Sequence, residues 1–148
     1  MKKKWAFIFL ILVIIIGCSL FISIQFSPKH QAKETVELFY NYEQDGDFSD
    51  SWALFHSQMK NKFNKGAYIQ DRAHVFMNHF GVETFDYELG DVEELSEWNM
   101  SNETEPLNDV YRVSVIQYYK SKYGNLQLSQ EIFVTKEEDV WKVLWDYN

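Results

Sequence analysis

Four histidines, one cysteine and two polar residues set into apolar strands are the side chains here with the means to do chemistry. His56 is the best placed. At about 100° per residue from Trp52 it falls at about 40° on a helical wheel, beside Phe63 at about 20° and within the apolar stripe of Trp52, Phe55, Met59 and Phe63. A histidine facing a core has its pKa open to burial and can carry a proton as a general acid or base. The competing reading is a boundary histidine hydrogen-bonded to a neighbour. His74 and His79 sit five positions apart, which sets them about 140° apart on a helix, unlike the i, i+4 pair that grips zinc. No metal and no cofactor is expected. Asp71 falls on the polar side of the same helix, and Asp86 and Glu88 fall on the outward row of a strand. Arg112 and Gln130 each interrupt an apolar strand; on an inner sheet face they would line a pocket and need partners, since leaving a polar group unpaired costs about 1–3 kcal/mol, and an edge location or an outward turn explains them as well. Trp141, Trp145 and Tyr147 alternate on one side of the last strand, where they fill a core, line a cavity or face a partner. His56, Arg112, Gln130, Trp141, Trp145 and Tyr147 are therefore the pocket candidates. The chain has no glycine-rich phosphate loop and no serine or cysteine nucleophile motif.

Between Lys4 and Lys29 the chain carries no charge, and Trp5 to Ile24 is almost wholly apolar. A helix of that length reaches about 30 Å, the hydrocarbon thickness of a bilayer. Lys2, Lys3 and Lys4 keep the start on the cytoplasmic side. A secretory signal would have a shorter apolar region ending in small residues; here Leu20, Phe21, Ile22, Ile24 and Phe26 prolong it. The expectation is an uncleaved single-pass anchor over residues 5–26, a cytoplasmic stub of 1–4, a short tether of 27–30, and an extracytoplasmic domain over 31–148. Ile15-Ile16-Gly17-Cys18 resembles a relaxed bacterial lipoprotein box, which makes Cys18 a lipidation candidate.

The net charge of −8 includes the three leading lysines, so the remainder is more acidic still. Such a surface repels nucleic acid, and a nucleic-acid partner is not expected. The domain has no cysteine and must stand on packing, supplied by aromatic residues at 18% of the chain. Two triplets, Asn99-Met100-Ser101 and Asn102-Glu103-Thr104, fit the glycosylation pattern, which matters only in a eukaryotic source; the cysteine-free exterior and lysine-led anchor look bacterial.

Three helices come first. Ala32, Val36, Phe39 and Tyr40 recur at helical spacing over Gln31–Gln44, and Gly46 caps that helix. Ser49 is the expected N-cap of a second, continuous helix through Phe63. A third runs from Ala67 to Phe80 with Ile69, Ala73, Phe76, Met77 and Phe80 on one face and Gly81 closing it. The period then changes to two. Phe85, Tyr87 and Leu89 begin a strand with a bulge expected at Gly90, continuing toward Trp98. Val110–Tyr119 is apolar on both faces, which predicts cover on two sides. Lys122-Tyr123-Gly124-Asn125 turns the chain into a third strand, and Glu137-Glu138-Asp139 turns it into the last. The fold class is α+β: a transmembrane helix, then three helices packed on a curved antiparallel sheet of about four strands.

This order, with Phe39-Tyr40, the Gln44-Asp45-Gly46-Asp47-Phe48 break, Trp52 to Phe55 and the bulged strand Val82 to Leu95, resembles the nuclear transport factor 2-like (cystatin-like cone) superfamily. The resemblance covers about residues 31–148. It implies a cone with an apolar pocket between helices and sheet. Members of that superfamily include isomerases and dehydratases, transport factors, and non-catalytic domains of bacterial surface proteins, among them the N-terminal domain of methicillin-resistance penicillin-binding proteins. The expected role is a membrane-anchored binding or assembly domain without catalysis, with a cell-envelope protein or a second copy as partner. The alternative is an isomerase- or dehydratase-type pocket enzyme using His56 as acid or base.

Overall fold

A computed structural model describes residues 2–75 and 81–148, with the side chains of 2–4, 6, 7, 21, 22 and 25 outside that description. The expected contributions of Phe76, Met77, His79 and Phe80 fall outside the described residues. The chain is α+β: α1 (Lys2–Gln25), α2 (Pro28–Asp45), α3 (Phe48–Ala53), α4 (Ser57–Lys62), α5 (Lys65–Ala73), β1 (Asp86–Trp98), β2 (Leu107–Ser121), β3 (Gly124–Glu137) and β4 (Val140–Trp145). The strands form one antiparallel meander in the order β1-β2-β3-β4. Among the described residues no helix is long and apolar enough to cross a membrane; the longest unbroken run of described side chains in α1 reaches only from Ile8 to Leu20.

The junction between α1 and α2 is tight. Ser27 donates its N–H to the Ile24 carbonyl, and its hydroxyl caps α2 by accepting from the His30 N–H, with Pro28 in the first turn where its missing N–H does no harm. Residues 28–30, expected as tether, are thus already helical, and Ala32 is already fully buried. Val36, Phe39 and Tyr40 continue the buried stripe of α2. Gly46 ends it in the left-handed region (φ 78°), where its N–H returns to the Glu43 and Tyr42 carbonyls.

The expected second helix is two helices. Asp47, not Ser49, is the N-cap of α3, and the chain leaves helical geometry at Phe55. The reason is tertiary: Val143 of β4 donates its N–H to the Leu54 carbonyl and accepts from the His56 N–H, a parallel bridge that takes these backbone groups away from a helix. Among the described residues the α-helices after α1 therefore number four, where three were expected.

The β1 bulge lies at Gly90, with the pairing to β2 shifting register between Leu89 and Val92. A Cβ there would meet Ser114 Cβ at 3.2 Å. Register places Tyr111, Val113, Val115, Gln117 and Tyr119 of β2 on the helix-facing side with Ile132, Val134, Val143 and Trp145. Two-sided cover of β2 and its neighbours holds at one end only, where Trp98 stacks on Phe133 with centroids 4.0 Å apart and Leu144 is fully buried. Farther along, the outer face carries Arg112, Ser114 and Tyr118 bonded to glutamates.

Candidate functional site

α2, α3 and α5 each turn a polar side chain toward one point inside the domain. Glu43 lies one turn beyond Phe39 and Tyr40 on the apolar stripe of α2 and is only 4% exposed. Ser51 of α3 donates its hydroxyl to Glu43 Oε1 at 2.5 Å, and Tyr68 of α5 donates to the same oxygen at 2.6 Å. Arg72, one turn after Tyr68, donates Nε to Oε2 at 2.6 Å, and a second guanidinium nitrogen reaches that oxygen. Rings wall the cluster. Phe55 lies edge-on to Tyr68 at 5.1 Å and to Trp145 at 5.1 Å, and the Arg72 guanidinium lies 5.8 Å from the Trp145 ring centroid.

The electrostatics follow from burial. Burial alone would lower the Arg72 pKa, but the Glu43 charge and hydrogen bonds outweigh it and hold the guanidinium above its ordinary value. Burial, then the Glu43 charge, pushes the Tyr68 hydroxyl up, so it stays protonated and donates. Burial likewise raises Tyr40 and Tyr119. Each Glu43 oxygen is met by two donors, so the acceptor positions of the carboxylate are filled by the domain's own side chains. The arrangement clamps three helices together around one neutralised charge.

The candidates from sequence are scattered. Trp145 joins the cluster. Gln130 faces inward as expected, accepting from the Tyr40 hydroxyl at 3.4 Å. Arg112 lies on the outer face in a contact with Glu93 and 3.9 Å from Glu131, so its inner-face reading is corrected: the pleat turns it away from the helices to meet carboxylates in solvent. Trp141 packs against Tyr111 and donates to Gln31 Oε1 at 2.8 Å, at the start of α2. Tyr147 lies at the rim under Lys62, whose Nζ is 3.6 Å from the ring centroid, and burial lifts its hydroxyl to about 12.

His56 is buried, but at the elbow between α3 and α4 rather than on a helical face. Its Nδ1 caps α4 by accepting the Gln58 N–H at 3.2 Å, and its Nε2 lies 3.5 Å from Glu137 Oε1. Burial lowers its pKa, with the Glu137 charge opposing and Lys142 and Lys60 assisting. Glu137 is held below the usual carboxylate range: burial raises it, but hydrogen bonds from Ser57 and the nearby His56 prevail. Asp71 is exposed on α5 and His74 is exposed at its C-cap, and Cys18 is exposed on α1. Among the described residues no group of three His, Cys, Asp or Glu side chains gathers as a metal site.

Glu43, Ser51, Tyr68 and Arg72 escaped sequence reading, although the spacing of Glu43 from Val36, Phe39 and Tyr40 places a carboxylate on the apolar face. No protein-family profile matches the chain, and no curated protein matches it. Among solved structures it is similar to "Structure of Bdellovibrio bacteriovorus Bd1075", with a TM-score of 0.50 and 16% identity over 76% of this chain and 37% of that one. The chain thus spans little over a third of that protein, and the likeness is one of fold alone.

Proposed function

We propose that this chain is a single-pass membrane protein whose residues 31–148 form an extracytoplasmic domain of the nuclear transport factor 2-like kind. Its role is binding or assembly at the cell envelope, without catalysis. The observation that carries the non-catalytic reading is Glu43: among the described residues it is the one buried carboxylate, and it is spent on Ser51, Tyr68 and Arg72 of the same domain. The superfamily reading is supported by helices preceding a four-stranded meander and by the Gly90 bulge. The anchor rests on the whole apolar sequence from Trp5 to Ile24, on Lys2–Lys4 before it, and on the Ser27–Pro28 junction that delivers it straight into the domain. Cys18 is a lipid acceptor only if the chain is processed at Gly17.

A protease added outside intact cells tests the topology through a tag fused after Asn148. Cleavage of the tag is expected, and full protection would overturn the orientation. The rival enzyme reading draws on the His56–Glu137 contact. His56→Asn retains a capping oxygen but no titratable ring, so a turnover activity abolished by it, with the fold intact, would replace the binding reading.

A further inference from the structure

The two edges of the sheet are defended differently. β1, on one side, is broken by the Gly90 bulge and carries Glu88, Asp91, Glu93, Glu94 and Glu97, the devices by which proteins prevent strand-to-strand association. On the other side β4 pairs only with Ile132–Glu137 of β3. Gly124–Glu131 therefore has β2 on one side and, among the described residues, no strand on the other. This open stretch has no proline and no charge between Lys122 and Glu131, in a chain that is 24% charged. Leu126 and Leu128 within it are 38% and 48% exposed.

The hydrogen-bond alternation is fixed by the hairpin. Ser121 and Gly124 flank the Lys122-Tyr123 turn and pair with each other, so Leu126, Leu128 and Gln130 direct their backbone groups to β2. Asn125, Gln127 and Ser129 direct theirs to the open edge. We propose that this edge pairs antiparallel with the same edge of a second copy, about a two-fold axis at Gln127. In that register Asn125 meets the partner's Ser129, and Gln127 meets its counterpart, in hydrogen-bonded pairs. Leu126 meets the partner's Leu128 in the closer non-hydrogen-bonded pairs, twice over, which gathers four leucines on the helix side. A shift of two residues in either direction keeps a single leucine opposite its own counterpart and sets the other against Gln130 or Gly124. The second copy is favoured by charge: two net-acidic chains repel overall, and this strip is neutral on both partners by symmetry.

A single strand seam falls short of the about 1,200–2,000 Å² that a stable, freely diffusing complex buries. The pairing thus rests on the anchored reading above, since copies held in one membrane meet at effective concentrations on the order of millimolar. The test uses the full chain with Cys18→Ser and Gln127→Cys, mildly oxidised in cell membranes. Hydrogen-bonded antiparallel pairs bring Cα atoms to about 5.5 Å, within disulfide range. A disulfide dimer is expected from Gln127→Cys, little from Asp91→Cys at the defended edge, and loss of the dimer when Ser129→Pro removes an edge-facing N–H that pairs with no strand among the described residues. Equal crosslinking at both edges, insensitivity to Ser129→Pro, or adducts with another protein instead of a dimer would each overturn the proposal. Fractionation separates the two readings: a chain recovered as soluble protein sinks the anchor, while its crosslinking pattern still decides the pairing.

Discussion

Arg72 and Arg112 each pair with glutamate in this domain, one inside it and one on its outer face. Arg72 and Glu43 meet with the glutamate side chain 0% exposed, supported by Ser51 and Tyr68. Arg112 and Glu93 meet across β2 and β1 with side chains 41% and 57% exposed. The ions are the same and their consequences differ. Inside, the Glu43 charge has left water and the Arg72 charge largely has, so each leans on the other. Outside, water replaces whichever partner is lost. The inner pair therefore holds helices in place, while the outer pair decorates a strand.

The largest expected effect comes from breaking the inner pair. Glu43→Ala leaves the Arg72 guanidinium in an apolar, ring-lined site and is expected to cost about 3–5 kcal/mol, read by urea or thermal unfolding. If Glu43→Ala and Arg112→Ala prove equally mild, the contrast between inside and outside is wrong. Replacing both inner partners, as Glu43→Leu with Arg72→Met, is expected to be much less harmful than the sum of the single changes, because no charge is left unpaired. A double mutant as unstable as that sum would show that geometry, not unpaired charge, governs the site.

Acidification probes a third, intermediate location. His56 is buried with a pKa below its ordinary 6.5, so folding favours the neutral ring; the stability this gives is complete above about pH 6.5 and is lost as pH falls through the folded value. Glu137, held below 4.5, adds stability that is likewise lost on further acidification. Unfolding midpoints are expected to fall from pH 7 downward, with the upper part of that decline flattened in His56→Asn. The smallest effect belongs to the outer pair: Arg112→Ala is expected to change stability by under about 1 kcal/mol, and by less at high salt.

What the sequence made legible follows the range of the forces involved. The stripe Ala32–Val36–Phe39–Tyr40, the Gly46 cap and the Gly90 bulge are local patterns, and each appears where local rules put it. The break at Phe55 is not local. It exists because Val143, far along the chain, offers its backbone to Leu54 and His56, and that shift moves His56 from a helical face to an elbow. Glu43 was within reach, since its spacing sets it on the buried face. Its partners were not, because Ser51, Tyr68 and Arg72 converge on it only once three helices have packed. Arg112 shows the converse: an arginine in an apolar-looking strand is ordinary when the pleat turns it to solvent.

The join at Ser27 has a mechanical corollary. One helix stops and the next is capped within a single turn, and the first turns of α2 are already embedded in the core through Ala32. On the anchored reading there is no slack cord beneath the domain, so it stands close to the bilayer, like a blade mounted on a short shaft. Whatever engages it must approach along directions the lipid surface leaves open.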